Sequence, residues 1–185
     1  MAIWIIGGIL ALLLIWAISL YNSFVKARIK IDNSWSDISV FLKKRFDLIP
    51  NLVNTVKGYA AHESQTLEKL VQARNAAAAV PPGNVQATAV ANQALDGALS
   101  KLFALAEAYP DLKANQNFLE LQTALQGIEN DLGNARRYYN ATVRDYNTAI
   151  QQFPGVIIAN ATGFRHREFF ELNNPAEAQN ITVQF

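Results

Sequence analysis

The chain has 185 residues, no cysteine, and 16 basic side chains against 15 acidic ones. The lack of cysteine excludes disulfide bonds and thiolate metal sites, and the near-zero net charge gives no electrostatic basis for binding nucleic acid. Every charged side chain follows residue 25, so a body of about 160 residues remains, which is enough for one domain with a sizeable core.

The amino-terminal segment predicts a membrane span. The run from Ala2 to Leu20 is almost purely apolar, and as a helix its length matches the hydrocarbon core of a bilayer, about 30 Å. Aromatic rings, which favour the lipid–water boundary, lie near its two ends, at Trp4, Trp16 and Tyr21. The basic start and the small-residue cleavage site of a signal peptide are missing. We therefore predict an uncleaved anchor over residues 1–24.

The orientation of the body follows from the charges beside the span. Lys26, Arg28 and Lys30 come directly after it, whereas no basic side chain precedes it. Because basic residues near a span are retained on the cytoplasmic side, we expect the amino terminus outside and the body in the cytoplasm.

Beyond the span, the hydrophobic period is helical throughout. Proline-containing breaks divide it at residues 81–83, 109–111 and 153–155. In the first segment, positions three and four residues apart form a seam that is apolar except at Arg45, with Ile31, Trp35, Ile38, Leu42, Arg45, Ile49, Leu52, Val56 and Tyr59. The apolar periodicity of residues 63–80 is weaker, and residues 84–109 show a seam with the same spacing of three and four. The last segment, about 113–153, carries the longest seam, from Phe118 through Leu125, Leu132, Tyr139 and Tyr146 to Phe153.

This pattern predicts an all-α protein. Its N-terminal transmembrane helix precedes an antiparallel bundle of long helices of the four-helix type, over residues 25–153. Residues 154–185 form a carboxy-terminal lid or tail. Within this tail, Ile157, Ile158 and Phe164 either pack as a lid over the bundle end or touch anionic lipid. Residues 173–185 are a flexible tail or a short added strand.

Two positions in the first segment leave alternatives open. Pro50 lies inside a seam that keeps its phase, so it either kinks the helix or follows Asp47 as the N-cap of a new one. At a kink, the side chain of Asn51 would satisfy a freed backbone group. Arg45 lies on the apolar seam, where it either extends its head to water or is buried against Glu129 or Asp131.

Several motifs resemble the bacterial LemA family. They are Asn33-Ser34-Trp35-Ser36-Asp37-Ile38, then Leu42-Lys43-Lys44-Arg45-Phe46-Asp47-Leu48-Ile49-Pro50-Asn51-Leu52-Val53, and later Ala135-Arg136-Arg137-Tyr138-Tyr139-Asn140 and Val143-Arg144-Asp145-Tyr146-Asn147. The resemblance covers all but the last dozen or so residues. It implies a bacterial membrane protein with a single N-terminal span and a helical-bundle domain, and it does not supply a catalytic activity. Its magnetosome-associated members imply a role in membrane organisation.

The residues themselves offer little chemistry. His62 and His166 are about a hundred residues apart, and neither has a second histidine at metal-ligand spacing. No glycine-rich phosphate loop or nucleophile elbow is present in the sequence. We expect no cofactor, no metal, no nucleic-acid partner and no enzymatic activity. The favoured function is a scaffold that self-associates and organises membrane or partner proteins. The alternative is an accessory subunit of a membrane enzyme or signalling complex, whose protein partner is unidentified.

Self-association is expected on geometric grounds. Gly7 and Gly8 would let two spans pack closely. The two middle segments are shorter than the first and last helices, so the membrane-near part of the first helix would be covered by the last helix alone. Apolar flanks left exposed by such a pair usually mark an interface. We therefore expect contacts between subunits, or with the tail, at Phe24, Ile29, Ile31, Tyr146 and Phe153.

Overall fold

The computed structural model describes residues 1–60 and 62–171, and within them it is helical with no strand. The helices are α1 (Ala2–Lys57), α2 (Ser64–Ala78), α3 (Val85–Ala106), α4 (Pro110–Lys113), α5 (Gln116–Gln151) and α6 (Gly155–Thr162). The prediction of a long N-terminal apolar helix followed by a helical domain is confirmed. The tail expected at 173–185 lies outside the described residues.

Helix α1 is continuous from the apolar segment into the body. Its amino-terminal part is long and apolar enough to cross a membrane, and none of that part is buried in the protein. The predicted span residues Ala2, Trp4, Gly7, Gly8 and Trp16 are exposed, and Leu20 is partly so. An apolar helix without a protein covering fits a lipid environment, because there the backbone groups are satisfied within the helix.

Pro50 lies inside α1, which ends seven residues later at Lys57. The alternative that Pro50 opens a new helix is therefore wrong. A proline removes the N–H that would bond to the carbonyl four residues earlier, here that of Phe46. The Arg74 side chain on α2 meets this carbonyl, with its Nε donating at 3.3 Å. Asn51, expected to compensate the proline, has an exposed side chain.

The chain forms two compact units. The first contains Met1–Arg45 and Ala124–Phe169, which comprise most of α1, most of α5, and α6. Its buried side chains follow the predicted seams and include Ile31, Ile38, Leu42, Leu132, Tyr139 and Tyr146. Trp35, also predicted for the core, is half-buried, with its ring 5.5 Å from that of Tyr139.

The second unit contains Phe46–Thr123 and, of the described carboxy-terminal residues, Phe170 and Glu171. Within 46–60 and 62–123, it comprises the end of α1, then α2, α3 and α4, and the first turns of α5. Buried apolar side chains from these helices make its core, including Leu52, Val56, Leu70, Leu95, Leu102 and Leu112. Helix α5 starts at Gln116, later than the periodicity suggests. The reason is that the Asn115 side chain accepts a hydrogen bond from the Phe118 N–H at 3.0 Å and caps the helix.

Candidate functional site: a clamped strap beside the apolar segment

A segment without regular secondary structure, residues 164–168, follows α6 in the first unit, and we call it the strap. Helix α6 ends at Gly163, whose φ of +77° lies in the left-handed region that favours glycine. The Phe164 N–H then bonds back to the Ala159 carbonyl at 3.0 Å. The strap therefore leaves α6 in a defined direction, although it has no regular secondary structure of its own.

Three side chains of α5 hold the strap through its backbone. The Tyr139 hydroxyl donates to the Glu168 carbonyl and the Tyr146 hydroxyl donates to the Arg165 carbonyl, each at 2.9 Å. The Asn147 amide donates to the Arg167 carbonyl and accepts from the Arg167 N–H, both at 2.9 Å. We call Tyr139, Tyr146 and Asn147 the clamp. Because these hydrogen bonds are to backbone groups, they do not depend on which side chains the strap carries.

The clamp tyrosines sit in a partly dehydrated environment. Burial is the largest cause that raises the pKa of Tyr139, and the nearby carboxylates of Glu168 and Asp32 add to it. Burial likewise raises the pKa of Tyr146. The basic side chain of Arg167 opposes the increase in both pKa values. The neutral phenols are thus favoured, and only the neutral phenol has the hydrogen that it donates to the strap.

Aromatic contacts fix α6 and the strap beside the end of the apolar segment. The Phe164 ring lies edge-on to Tyr21 and to Phe24, at centroid distances of 5.5 and 5.4 Å. The Arg28 guanidinium lies 5.7 Å from the centroid of the same ring. At the start of α6, a Cβ on Gly155 would lie 3.0 Å from the Phe24 ring and 2.4 Å from the Ala149 carbonyl oxygen. Both ends of α6 are therefore tied to α1 within four residues of Leu20.

Basic side chains predominate around these contacts, where Asp32 and Glu168 are the nearby acidic ones. Residues 1–31 and 146–167 contain five Lys and Arg side chains and no Asp or Glu. The basic residues are Lys26, Arg28, Lys30, Arg165 and Arg167. Arg167 is paired with Asp32, the first acidic residue of the chain. The end of the first unit beside the apolar segment is therefore positively charged.

A groove of about 420 Å³ runs along α1 and α5 in the same unit. Each helix contributes one face, spaced by three and four residues, and the lining residues are Asp37, Val40, Phe41, Lys44, Asp131, Asn134, Ala135 and Tyr138. Val40 and Tyr138 are about half exposed, at 52% and 51%. The groove thus combines apolar side chains with both signs of charge.

An ion-pair cluster surrounds the buried Arg45 in the same unit. The Arg45 side chain is 5% exposed, and its guanidinium lies 3.2 Å from the Glu129 carboxylate. The other oxygen of that carboxylate lies 3.6 Å from the Arg136 guanidinium. Of the alternatives for Arg45, the structure shows burial against Glu129. No group of three or more potential metal ligands occurs among the described residues.

The residues predicted to make subunit or tail contacts fall into two groups. Phe24, Ile31 and Tyr146 are buried within this chain, with Phe24 and Tyr146 against the α6 and strap region. They are therefore not available as a surface for a second copy. Ile29 and Phe153 are exposed, at 51% and 81%. Of the predicted lid residues, Phe164 and Ile158 are half-buried, but Ile157 is exposed, so its assignment to a packed lid is wrong.

The hydrophobic spacing identifies Tyr139 only as a seam position, and it assigns no role to Asn147. A usable signal was present, because a polar tip on a buried seam needs a hydrogen-bond partner. These residues belong to the motifs 135–140 and 143–147 that carry the family resemblance.

A family model confirms that resemblance. The model of the LemA family matches residues 34–185. The chain belongs to the LemA family. The matched region covers the clamp, the strap and the groove, and it begins after the apolar segment.

Three individual relatives are similar to this chain at 26–27% identity. Magnetosome protein MamQ from Magnetospirillum gryphiswaldense is 26% identical over 188 residues, which cover 89% of this chain and 69% of that protein. Magnetosome protein MamQ 2 from Paramagnetospirillum magneticum has the same identity and coverage. Protein LemA from Metamycoplasma hominis is 27% identical over 134 residues, covering 71% of this chain and 60% of that protein.

Proposed function

We propose that this LemA-family chain is a non-enzymatic, membrane-anchored helical scaffold that associates with copies of itself and so organises the membrane or partner proteins. The observation that carries the proposal is the groove along α1 and α5. The strap is clamped to α5 at Tyr139, Tyr146 and Asn147, whereas the groove-lining residues Val40 and Tyr138 stay half exposed.

The groove suits a second copy of the same chain. Two antiparallel helix pairs that face each other across a two-fold axis form a four-helix bundle. Asp37, Asp131 and Lys44 supply charges of both signs, so a two-fold contact would place opposite charges within reach of each other. The groove runs along α1, the same helix that carries the apolar segment. An axis parallel to α1 therefore keeps both anchors parallel in one bilayer.

We place the chain in the bacterial inner membrane, single-pass, with the amino terminus outside and the body in the cytoplasm. The support is the cluster Lys26, Arg28 and Lys30 directly after the apolar segment. The likeness to magnetosome proteins supports a role in organising a membrane. Protease added outside spheroplasts should leave the body intact, and digestion of the body from that side would reverse the orientation.

The mass of the full chain in mild detergent tests the self-association. Val40→Asp places a charge in the groove, and because Val40 is 52% exposed we expect the fold to persist, with a change in stability within about 0.5 kcal/mol. Val90→Asp is the matched control, since Val90 is 53% exposed on α3. By light scattering, the unmodified chain and Val90→Asp should be oligomers of the same mass, and Val40→Asp a monomer.

Two results would overturn the scaffold. One is a monomeric unmodified chain, and the other is equal oligomer masses for the Val40 and Val90 variants. A defined complex of one copy with a different protein, dissociated by Val40→Asp, would support the accessory-subunit alternative in its place.

A further inference from the structure

We propose that α6 and the strap form a second, peripheral membrane contact that is selective for anionic phospholipid. The inference rests on the membrane anchoring included in the proposed function, but not on self-association. It begins from two exposed apolar side chains. Phe153, just before α6, is 81% exposed, and Ile157 on α6 is 57% exposed.

The position of α6 relative to the apolar segment gives these side chains a lipid partner. Gly155 lies against Phe24 at one end of α6, and Phe164 packs on Tyr21 and Phe24 at the other. The apolar run ends at Leu20. A helix tied to α1 within four residues of that point lies at the depth where the hydrocarbon core gives way to headgroups. Exposed apolar side chains at this depth insert into the boundary.

The composition of the segment permits this position. Residues 146–164 contain no charged side chain, so α6 brings no charge into contact with the acyl-chain boundary. The basic residues border the segment instead, with Lys26 and Arg28 on α1 and Arg165 on the strap. Lys26, Arg28 and Arg165 are exposed. Positive side chains near a bilayer attract anionic headgroups over about a Debye length.

The clamp accounts for how the contact is held. Tyr146 bonds to the backbone carbonyl of Arg165 and Asn147 to the backbone of Arg167. The Arg165 side chain therefore stays exposed while its backbone is fixed. This arrangement presents a basic side chain beside the bilayer without using it for packing. The apolar residues of α6 supply insertion, and the basic residues around them supply the preference for anionic lipid.

Site-specific fluorescence in lipid nanodiscs tests the proposal on the full chain. Because the chain has no cysteine, single substitutions place one thiol-linked fluorophore each. Ile157→Cys reports on α6, and Val90→Cys is the control with similar exposure. Leu10→Cys, within the apolar segment, reports on the anchor. The quencher is a lipid brominated near the headgroup end of its acyl chains or, for position 10, near their terminal end, because Leu10 lies near the middle of the apolar run. The bilayer is phosphatidylcholine alone or mixed with phosphatidylglycerol.

We expect several-fold stronger quenching at position 157 than at position 90, and a further increase when phosphatidylglycerol is added. Lys26→Gln with Arg165→Gln should abolish that increase, whereas Lys69→Gln with Lys101→Gln, which removes the same charge from exposed sites on α2 and α3, should retain it. Equal quenching at positions 157 and 90 overturns the proposal. So does an equal response with and without phosphatidylglycerol. Loss of quenching at position 10 would instead refute the anchor.

Discussion

Replacement of Asn147 by alanine isolates the hydrogen bonds that hold the strap. Asn147 is 9% exposed, and its amide makes two bonds to the backbone of Arg167. Each bond between neutral groups contributes about 1 kcal/mol net, so the variant should lose about 2 kcal/mol of strap binding. The fold itself should persist, because Tyr139 and Tyr146 still hold the neighbouring carbonyls.

Hydrogen exchange of the Arg167 amide measures this loss directly, since local opening exposes that N–H to solvent. At 1.4 kcal/mol per factor of ten, a loss of about 2 kcal/mol corresponds to exchange roughly 30-fold faster. Tyr146→Phe removes one bond and should accelerate exchange about five-fold by the same conversion. Thr148→Ala, at the next and exposed position of α5, is the control and should change nothing. Unchanged exchange in Asn147→Ala would show that the clamp does not hold the strap.

Three further predictions follow from packing and ionisation. Leu132→Ala removes a fully buried side chain and should cost about 2–5 kcal/mol in denaturant unfolding, whereas a loss under about 0.5 kcal/mol would place Leu132 outside the core. Gly155→Ala should cost about 1–3 kcal/mol, because its Cβ would lie 2.4 Å from a carbonyl oxygen. Gly97→Ala, in open space within α3, should stabilise by about 0.5–1 kcal/mol, and equal effects of the two substitutions would contradict this contrast. The raised pKa values of Tyr139 and Tyr146 mean that their contribution to stability is fully present below pH 10.0 and is lost as pH rises through the folded-state pKa. A variant with both tyrosines changed to phenylalanine isolates their titration. The phenolate absorbance of the unmodified chain minus that of the variant should rise with a midpoint above pH 10.0, and a lower midpoint would contradict the raised pKa values.

The helical part of the fold was predictable because its signal is periodic. Apolar residues three and four apart on α1 and α5 specify which faces meet, and Ile38, Leu42 and Leu132 are buried as that spacing requires. The continuity of α1 through Pro50 agrees with the unbroken phase of its seam. A helix tolerates an internal proline when another group meets the freed carbonyl, and Arg74 supplies that group 28 residues after the Phe46 carbonyl.

The strap was not predictable from the sequence because an irregular segment held by side chains has no hydrophobic period. The strap bonds to the clamp through its own backbone groups, so residues 164–168 need no particular side chains to be recognised by Tyr139 and Asn147. The choice between burial and exposure of Arg45 likewise depends on a contact across 84 positions of sequence, to Glu129. Hydrophobic spacing indicates whether a residue lies on the buried face of its helix, but it does not indicate which polar group it contacts.

Because α1 is continuous, a rotation or tilt of the apolar segment also moves the part of α1 that follows it. Its 56 residues extend about 84 Å if straight, and the first missing backbone hydrogen-bond donor in that length is at Pro50. A torque on the apolar segment, such as one produced when a change in bilayer thickness alters its tilt, is therefore transmitted along the helix to Ile38 and Arg45 instead of being absorbed at a hinge. Inserting a single residue just after Leu20 would turn the apolar segment by about 100° relative to the body and displace it by about 1.5 Å. The direction that each face of the span takes around the axis of α1, relative to the groove, is thus set by the number of residues between them.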